Sequence, residues 1–372
     1  MAQYLIKDVL DLMLLDAGTG KHAVAVARCN HDLALAEVPF QPGASGAPSL
    51  RELTDFLPRI RRGLISALDR PRPAELHEYG TKLFRFLIRG ELAELYARLP
   101  DAHVRIQIVS NHPDLMQLPW EYLQEPRQSP GPRLKRSFVR VVRTVGHTPS
   151  PALHLQDRVT VLFVAASPKG KEAIPWPELA EYIEGQFRQR LPGRFLLRVV
   201  PNVDDGALVD ALDARPRPDI FHFYGHGDVS GGRGRLLLVN PKTGQPSPLE
   251  AEALIGLLRD REIRLALLTA CDTAAGDFSD DFSVLAAGLV HEGVGAVVAN
   301  QFAVPILSVA AFVGTLYNQL LETGDIDLAV SAGRLKLWGS PLGDARQANL
   351  EWGVPVLYRH FARPDLYLSG VT

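Results

Sequence analysis

The chain has 372 residues, a net charge of −2, 46 % apolar residues and 22 % charged residues. That length predicts two domains, or one large α/β unit, either with a full core. The near-neutral balance gives no support to a nucleic-acid partner, which needs a basic face. Two cysteines, Cys29 and Cys271, are too few for a disulfide scaffold in a secreted chain. The first residues, MAQYLIKDVLDLMLLDAG, intersperse Asp8, Asp11 and Asp16 among apolar residues and lack the basic flank and unbroken apolar run of a signal peptide. No run reaches the roughly 18–20 apolar residues of a membrane helix. The expectation is a cytoplasmic protein without a membrane partner, in a reducing setting where a thiol persists.

Strands and helices alternate along the chain, which predicts α/β. His22–Arg28 and Leu33–Pro39 pattern as short strands, Leu50–Leu68 and Ala74–Leu99 as helices, and Val104–Ser110 and Ser137–Arg143 as strands. Between the last two, Gln124–Lys135 reads as an exposed loop rich in Pro, Arg and Gln. Gly146–Pro151 is the linker candidate, which predicts domains at 1–150 and 151–372. The near-continuous apolar strand Arg158–Ala166 follows, as expected for a sheet covered on both faces. The expected order is then helix Pro177–Leu191, strand Phe195–Val200, helix Asp205–Ala214, strand Asp219–Tyr224, helix Leu249–Asp260 and strand Arg264–Ala270. Helix Phe282–Glu292, strand Ala296–Asn300, helices Ile306–Glu322 and Ile326–Trp338, and strand Val354–Arg359 complete it.

Two strand ends carry chemistry. One reads DIFHFYGHGD (Asp219–Asp228), the other RLALLTACDTAAGD (Arg264–Asp277). Each is an apolar strand leading to a reactive side chain, and open parallel sheets bind ligands outside the carboxyl ends of their strands. If the two strands are neighbours, His226 and Cys271 emerge on one edge. A thiol with pKa near 8.5 is mostly protonated at neutral pH and needs a base to become a nucleophile. An imidazole takes that proton and returns it to the leaving amine. The oxyanion formed on attack needs donors. The backbone N–H of Gly227, which has no side chain in the way, and that of Cys271 are the candidates.

The histidine precedes the cysteine by 45 residues, close to the roughly 50 of caspases, where the histidine also comes first. On FHFYGHGD, LLTACDTAAGD, LPWEYL (Leu118–Leu123), VLFVAASP (Val161–Pro168) and GLVHEGVGAVVANQFAVP (Gly288–Pro305), residues 100–360 resemble the CHAT peptidases of the caspase and separase clan. The resemblance implies a caspase-like three-layer sandwich with a mostly parallel central sheet, preceded by a smaller caspase-like, catalytically empty subdomain. It implies catalytic roles for His226 and Cys271, and places Thr269, two residues before the nucleophile, in the primary specificity pocket. The family often has a tryptophan, with an acidic residue slightly later, where this chain reads NQFAV (Asn300–Val304).

The remaining candidates are weighed against plainer roles. Cys29 ends a short strand with no histidine in pattern and reads as a small hydrophobe. His222 shares a strand face with Tyr224 and His226 but lies about 13 Å back by strand rise, and reads as a structural, hydrogen-bonded histidine. Asp228, Asp272, Asp277, Asp280 and Asp281 read mainly as loop charge and helix caps, with Asp228 and Asp272 also candidates for the rim of a substrate pocket. Gly227–Arg235 is glycine-rich and reads as a mobile flap, and both it and Gln124–Lys135 are candidate processing sites. Asp16–His22 lacks phosphate-loop spacing, and no Cys/His cluster has zinc spacing, so no cofactor or metal is expected. Trp120 and Glu121 read as an inter-subdomain contact. The expectation is a cysteine endopeptidase acting on a protein and switched on by a regulatory partner, a ligand or a cut. The rival is a non-catalytic binding module on the same fold.

Overall fold

The computed structural model describes residues 8–16, 18, 20–29, 32–41, 48–110, 112–126, 128–132, 136–142, 158–230, 233–259, 261–271, 281–302, 304–339 and 349–360; at Cys271 the backbone alone is described. The expected linker Gly146–Pro151 lies outside them. The chain forms two compact units, 1–141 with 334–354, and 142–333 with 355–372.

In the first unit, β1 (Asp8–Asp16), β2 (His22–Cys29) and β3 (Asp32–Pro39) form an antiparallel meander. Helices α1 (Leu50–Thr54), α2 (Leu57–Ile65), α3 (Pro73–Leu87) and α4 (Glu91–Ala97) follow. Strand β4 (Val104–Ser110), the short helix α5 (Pro113–Gln117) and β5 (Arg136–Val142) complete this stretch. The strand order is β3-β2-β1-β4-β5, with β4 parallel to both of its neighbours. Strand β1 had no counterpart in the sequence reading, although its alternation is visible: Leu10, Leu12 and Leu14 are buried, while Asp11 pairs with Arg28 and accepts from Gln107. The two long helices expected at 50–68 and 74–99 are each broken. Pro58 sits in the first turn of α2, and Gly90, at φ 53°, starts α4.

Glu121 anchors this unit. It is buried and receives Arg140 Nη2 at 2.9 Å, with Arg334 at 3.9 Å. Burial alone raises its pKa, yet the two guanidinium groups hold it below the usual carboxylate range. Arg140 also donates to the carbonyls of Met116 and Leu118, and Trp120 Nε1 donates to Leu115 O at 2.9 Å. All these groups belong to the first unit, which also takes in Arg334 from the part of the chain expected as the second domain. Residues 349–353 are held there too. Tyr122 donates to Leu350 O, Arg70 pairs with Glu351, and Trp352 packs edge-on against Tyr122 at 5.0 Å. A Cβ on Gly353 would fall 2.3 Å from the Tyr122 ring, so this close approach admits glycine alone.

The second unit holds β6 (Val159–Ala166), α6 (Trp176–Arg190), β7 (Phe195–Pro201), α7 (Asp205–Asp213), β8 (Ile220–Ser230), β9 (Arg233–Val239) and β10 (Pro246–Glu250). Then come α8 (Ala251–Leu258), β11 (Leu265–Cys271), α9 (Asp281–His291), β12 (Ala296–Asn300), α10 (Ile306–Thr323), α11 (Ile326–Gly339, whose last turns belong to the first unit) and β13 (Pro355–His360). The sheet order is β7-β6-β8-β11-β12-β13; all neighbours are parallel except β12 and β13. On one face Leu162, Phe221, Phe223, Ala266, Leu268, Val297 and Ala299 form a core with α7, α8 and α9. On the other, Phe187 of α6 and Tyr317 of α10 meet at 5.4 Å, and Tyr317 meets His222 of the sheet at 5.7 Å. This is a mixed α/β fold with helices on both faces of a mostly parallel sheet, and such strands read as continuous apolar runs because neither face meets water.

Two expectations are corrected here. Strand β8 does not stop at His226 but runs to Ser230, and residues 226–230 pair antiparallel with β9. Residues 227–230 and 233–235 are therefore paired strands rather than a mobile flap, since ladder hydrogen bonds and the Asp228–Arg235 ion pair, two contacts of 2.8 Å, hold them; Gly231 and Gly232 lie outside the described residues. The expected exposed loop at Gln124–Lys135 is anchored at its start, where Gln124 N bonds Gly80 O and its side chain meets His77 at 2.7 Å; Gln128, Ser129 and Pro130 are exposed. Among the described residues, no helix is long and apolar enough to cross a membrane.

Candidate active site

Strands β8 and β11 run parallel in a register that sets Leu265 beside Ile220 and continues to Cys271 beside His226. Neighbouring strands lie about 4.8 Å apart, so the two backbones bring these positions side by side at the carboxyl rim of the sheet. Gly225, just before His226, passes under tight packing: a Cβ there would lie 2.8 Å from the Phe223 ring and 2.9 Å from Ala166 O. Only a residue without a side chain lets β8 lie this close to β6 at that point.

His226 is buried, and its Nε2 lies 2.7 Å from the carbonyl oxygen of Glu172. A carbonyl only accepts, so Nε2 carries the proton and Nδ1 is the basic nitrogen of the neutral ring. Glu172 sits in the turn after β6, which backbone bonds fix: Lys169 N to Gly244 O at 2.8 Å, Lys171 N to Pro168 O at 3.3 Å, and Trp176 N to Ile174 O at 2.9 Å. Sequence reasoning missed Glu172, because the group that acts is a main-chain carbonyl and leaves no side-chain signature.

His222 lies one residue pair below Tyr224, fully buried. Its Nε2 is 3.0 Å from Thr269 Oγ1, and Thr269 Oγ1 donates to Phe223 O at 2.8 Å. Thr269 therefore accepts from His222 Nε2–H, and Nδ1 accepts from the Tyr317 hydroxyl at 3.2 Å. Every proton in this chain has one place to go, as the structural reading of His222 expected. Burial pushes the His222 pKa down to about 3. The folded state holds this ring neutral while the unfolded chain protonates it near pH 6.5. Stability contributed by His222 is thus complete above pH 6.5 and declines as pH falls below it, by up to about 1.4 kcal/mol per unit. Urea unfolding of wild type and His222→Gln between pH 7 and 5 checks this: the wild type is expected to lose more stability over that range than the variant.

The other sequence candidates fall as follows. Gly227 is buried in β8, opposite Leu236. The Asp228 carboxylate is gripped by Arg235, which Glu250 also reaches at 3.2 Å. Thr269 is buried, with its hydroxyl engaged as described. Asp272, Asp277 and Asp280 lie outside the described residues. Cys29 is a buried free thiol at the end of β2. Among the described residues, no group of three or more His, Cys, Asp or Glu side chains is arranged to hold a metal ion.

Among solved structures, the chain is similar to separase of Saccharomyces cerevisiae, determined in a separase–securin complex: TM-score 0.51, 11 % identity, covering 95 % of this chain and 30 % of separase. It is also similar to the Arg-specific cysteine proteinase gingipain R, with TM-score 0.49, 11 % identity, and coverage of 83 % of this chain and 74 % of that one. The likeness to separase shows a shared caspase-like fold, and the chain spans under a third of the separase chain. No curated protein matches. The family model of the CHAT domain matches residues 77–360, well over half of the 372. The chain belongs to the CHAT domain family.

Proposed function

We propose that this chain is a cysteine endopeptidase whose dyad is His226 and Cys271. The observation that carries the reading is the strand register that sets Cys271 beside His226 while Glu172 O holds the imidazole with Nδ1 as its base. In the first step the Cys271 thiol gives its proton to His226 Nδ1, and the thiolate attacks the peptide carbonyl carbon. A C–S bond forms, and the oxyanion is met by the backbone N–H groups of Gly227 and Cys271. His226 then protonates the leaving amine, the C–N bond breaks, and an acyl thioester remains. Water, deprotonated by the same imidazole, hydrolyses the thioester and restores the thiol.

The substrate in this reading is another protein, and a regulatory partner, a ligand or a processing cut switches the enzyme on. A protein partner fits the fold, since separase is known in complex with securin. Residues 1–150 take the role of a caspase-like, non-catalytic subdomain in front of the catalytic one at 151–372. Of the two candidate processing sites, Gln124–Lys135 carries the exposed residues 128–130, while residues 226–230 and 233–237 at the other are paired strands.

Limited iodoacetamide labelling read by mass spectrometry tests the dyad. Cys271 is expected to label well ahead of the buried Cys29, with His226→Ala slowing Cys271 selectively. Equal slow labelling of both thiols would favour a silent binding module. A proteome digest that yields cuts with wild type and none with Cys271→Ala would identify the substrates.

A further inference from the structure

Asn300 ends β12. Its residue is 8 % exposed, and its side-chain Nδ2 is buried with no hydrogen-bond partner. Buried donors in folded proteins are nearly always paired, because an unmade hydrogen bond leaves the full desolvation cost of the group. A buried donor left open on the face that carries His226 is therefore a candidate contact for a ligand acceptor.

Its position follows from the sheet. Ala299 pairs with Leu268, so Asn300 falls beside Thr269, two residues before Cys271. Ala299 and Leu268 both belong to the core under α7, α8 and α9. Alternation then sets Asn300 on the opposite face, which it shares with Thr269, Tyr224 and His226. Strand spacing and rise put its backbone about 8 Å from that of Cys271. The 18-residue helix α10 begins after the short turn that follows Asn300, so its positive end lies at the same rim.

The chemistry of the neighbours selects the ligand. The Thr269 hydroxyl is committed to Phe223 O and His222, and His222 is neutral. Tyr224 and Asn300 carry no charge, and the Asp228 carboxylate is already paired with Arg235. Among the described residues of this face, a substrate carboxylate or ammonium would thus be buried without a counter-ion, which is costly. An uncharged acceptor is not. We propose that Asn300 reads the substrate residue on the acyl side of the scissile bond and selects a side-chain carboxamide, Gln or Asn. This rests on the peptidase reading above.

The test is a set of fluorogenic peptides varied only at that residue (Gln, Asn, Leu, Asp, Arg), cleaved by wild type, Asn300→Leu and Asn300→Ser, with Cys271→Ala as blank. The expected result is a wild-type kcat/KM highest for Gln and Asn. Asn300→Leu is expected to lower the Gln value about 10- to 100-fold while leaving the Leu value nearly unchanged. Asn300→Ser, a small polar replacement, gives the same direction should the leucine variant fold poorly. An identical profile in wild type and variants, as expected if a buried water is the partner of Nδ2, overturns the inference. So does a wild-type preference for Asp or Arg. Anisotropy of labelled peptides ending in Gln or Leu, bound to Cys271→Ala with and without Asn300→Leu, separates the two readings. Asn300-dependent selection of Gln without turnover by wild type would remove the peptidase and keep the selection; Asn300-independent binding overturns the inference.

Discussion

Cys271→Ala is expected to abolish peptide-bond hydrolysis, and His226→Ala to lower kcat by about 10⁴-fold or more. The two effects should not add, because nucleophile and base act as one unit: removing either leaves only the oxyanion donors and substrate binding. Thiol and imidazole are needed together because a neutral thiol is a poor nucleophile, and the proton it loses must later reach the amine. The double variant is therefore expected to match Cys271→Ala within error, measured as kcat on one cleaved peptide. His226→Ala removes the hydrogen bond to Glu172 O, which is worth about 1 kcal/mol. Thermal unfolding should accordingly fall only slightly, so that lost activity reports lost chemistry. Strong residual hydrolysis by His226→Ala at neutral pH would mean that another group takes the proton, and would sink the dyad.

The second large effect concerns stability. Glu121→Ala is expected to destabilise the first unit by about 3–5 kcal/mol, because it removes the buried carboxylate that Arg140 and Arg334 share. The Glu121 side chain is 1 % exposed and that of Arg140 is 3 %, so salt screens the pair little. Denaturant unfolding checks it, and a midpoint loss on the order of 10 °C should accompany it in a thermal scan. The pH dependence has a definite sign. The folded pKa of Glu121 is depressed, so its contribution is present above the unfolded value of 4.5 and is lost as pH falls through the folded value. Glu121→Ala should therefore be less acid-sensitive than wild type relative to its own neutral-pH stability. A loss under 1 kcal/mol would mean that the arginines find other acceptors, such as the carbonyls of Met116 and Leu118 that Arg140 already uses.

The alternating α/β order, the apolar strands that lead to His226 and Cys271, and the family were legible in the residue pattern, because these depend on local periodicity and on reactive side chains at strand ends. Local pattern was less reliable where a single residue overrides it. Pro58 and Gly90 split helices that otherwise read as continuous, and β8 runs past His226 because β9, read as part of a flap, pairs with it. Tertiary structure alone decided the rest. The register that sets Cys271 beside His226 is a relation between two strands, and the hydrogen bond from His226 to Glu172 uses a backbone carbonyl that any residue type would offer. Glu121 meets Arg140 and Arg334 only once the chain has folded, and Asn300 is notable because its buried side-chain Nδ2 has no hydrogen-bond partner. Such facts depend on what lies across from a residue once the chain has packed, and neither periodicity nor composition records that.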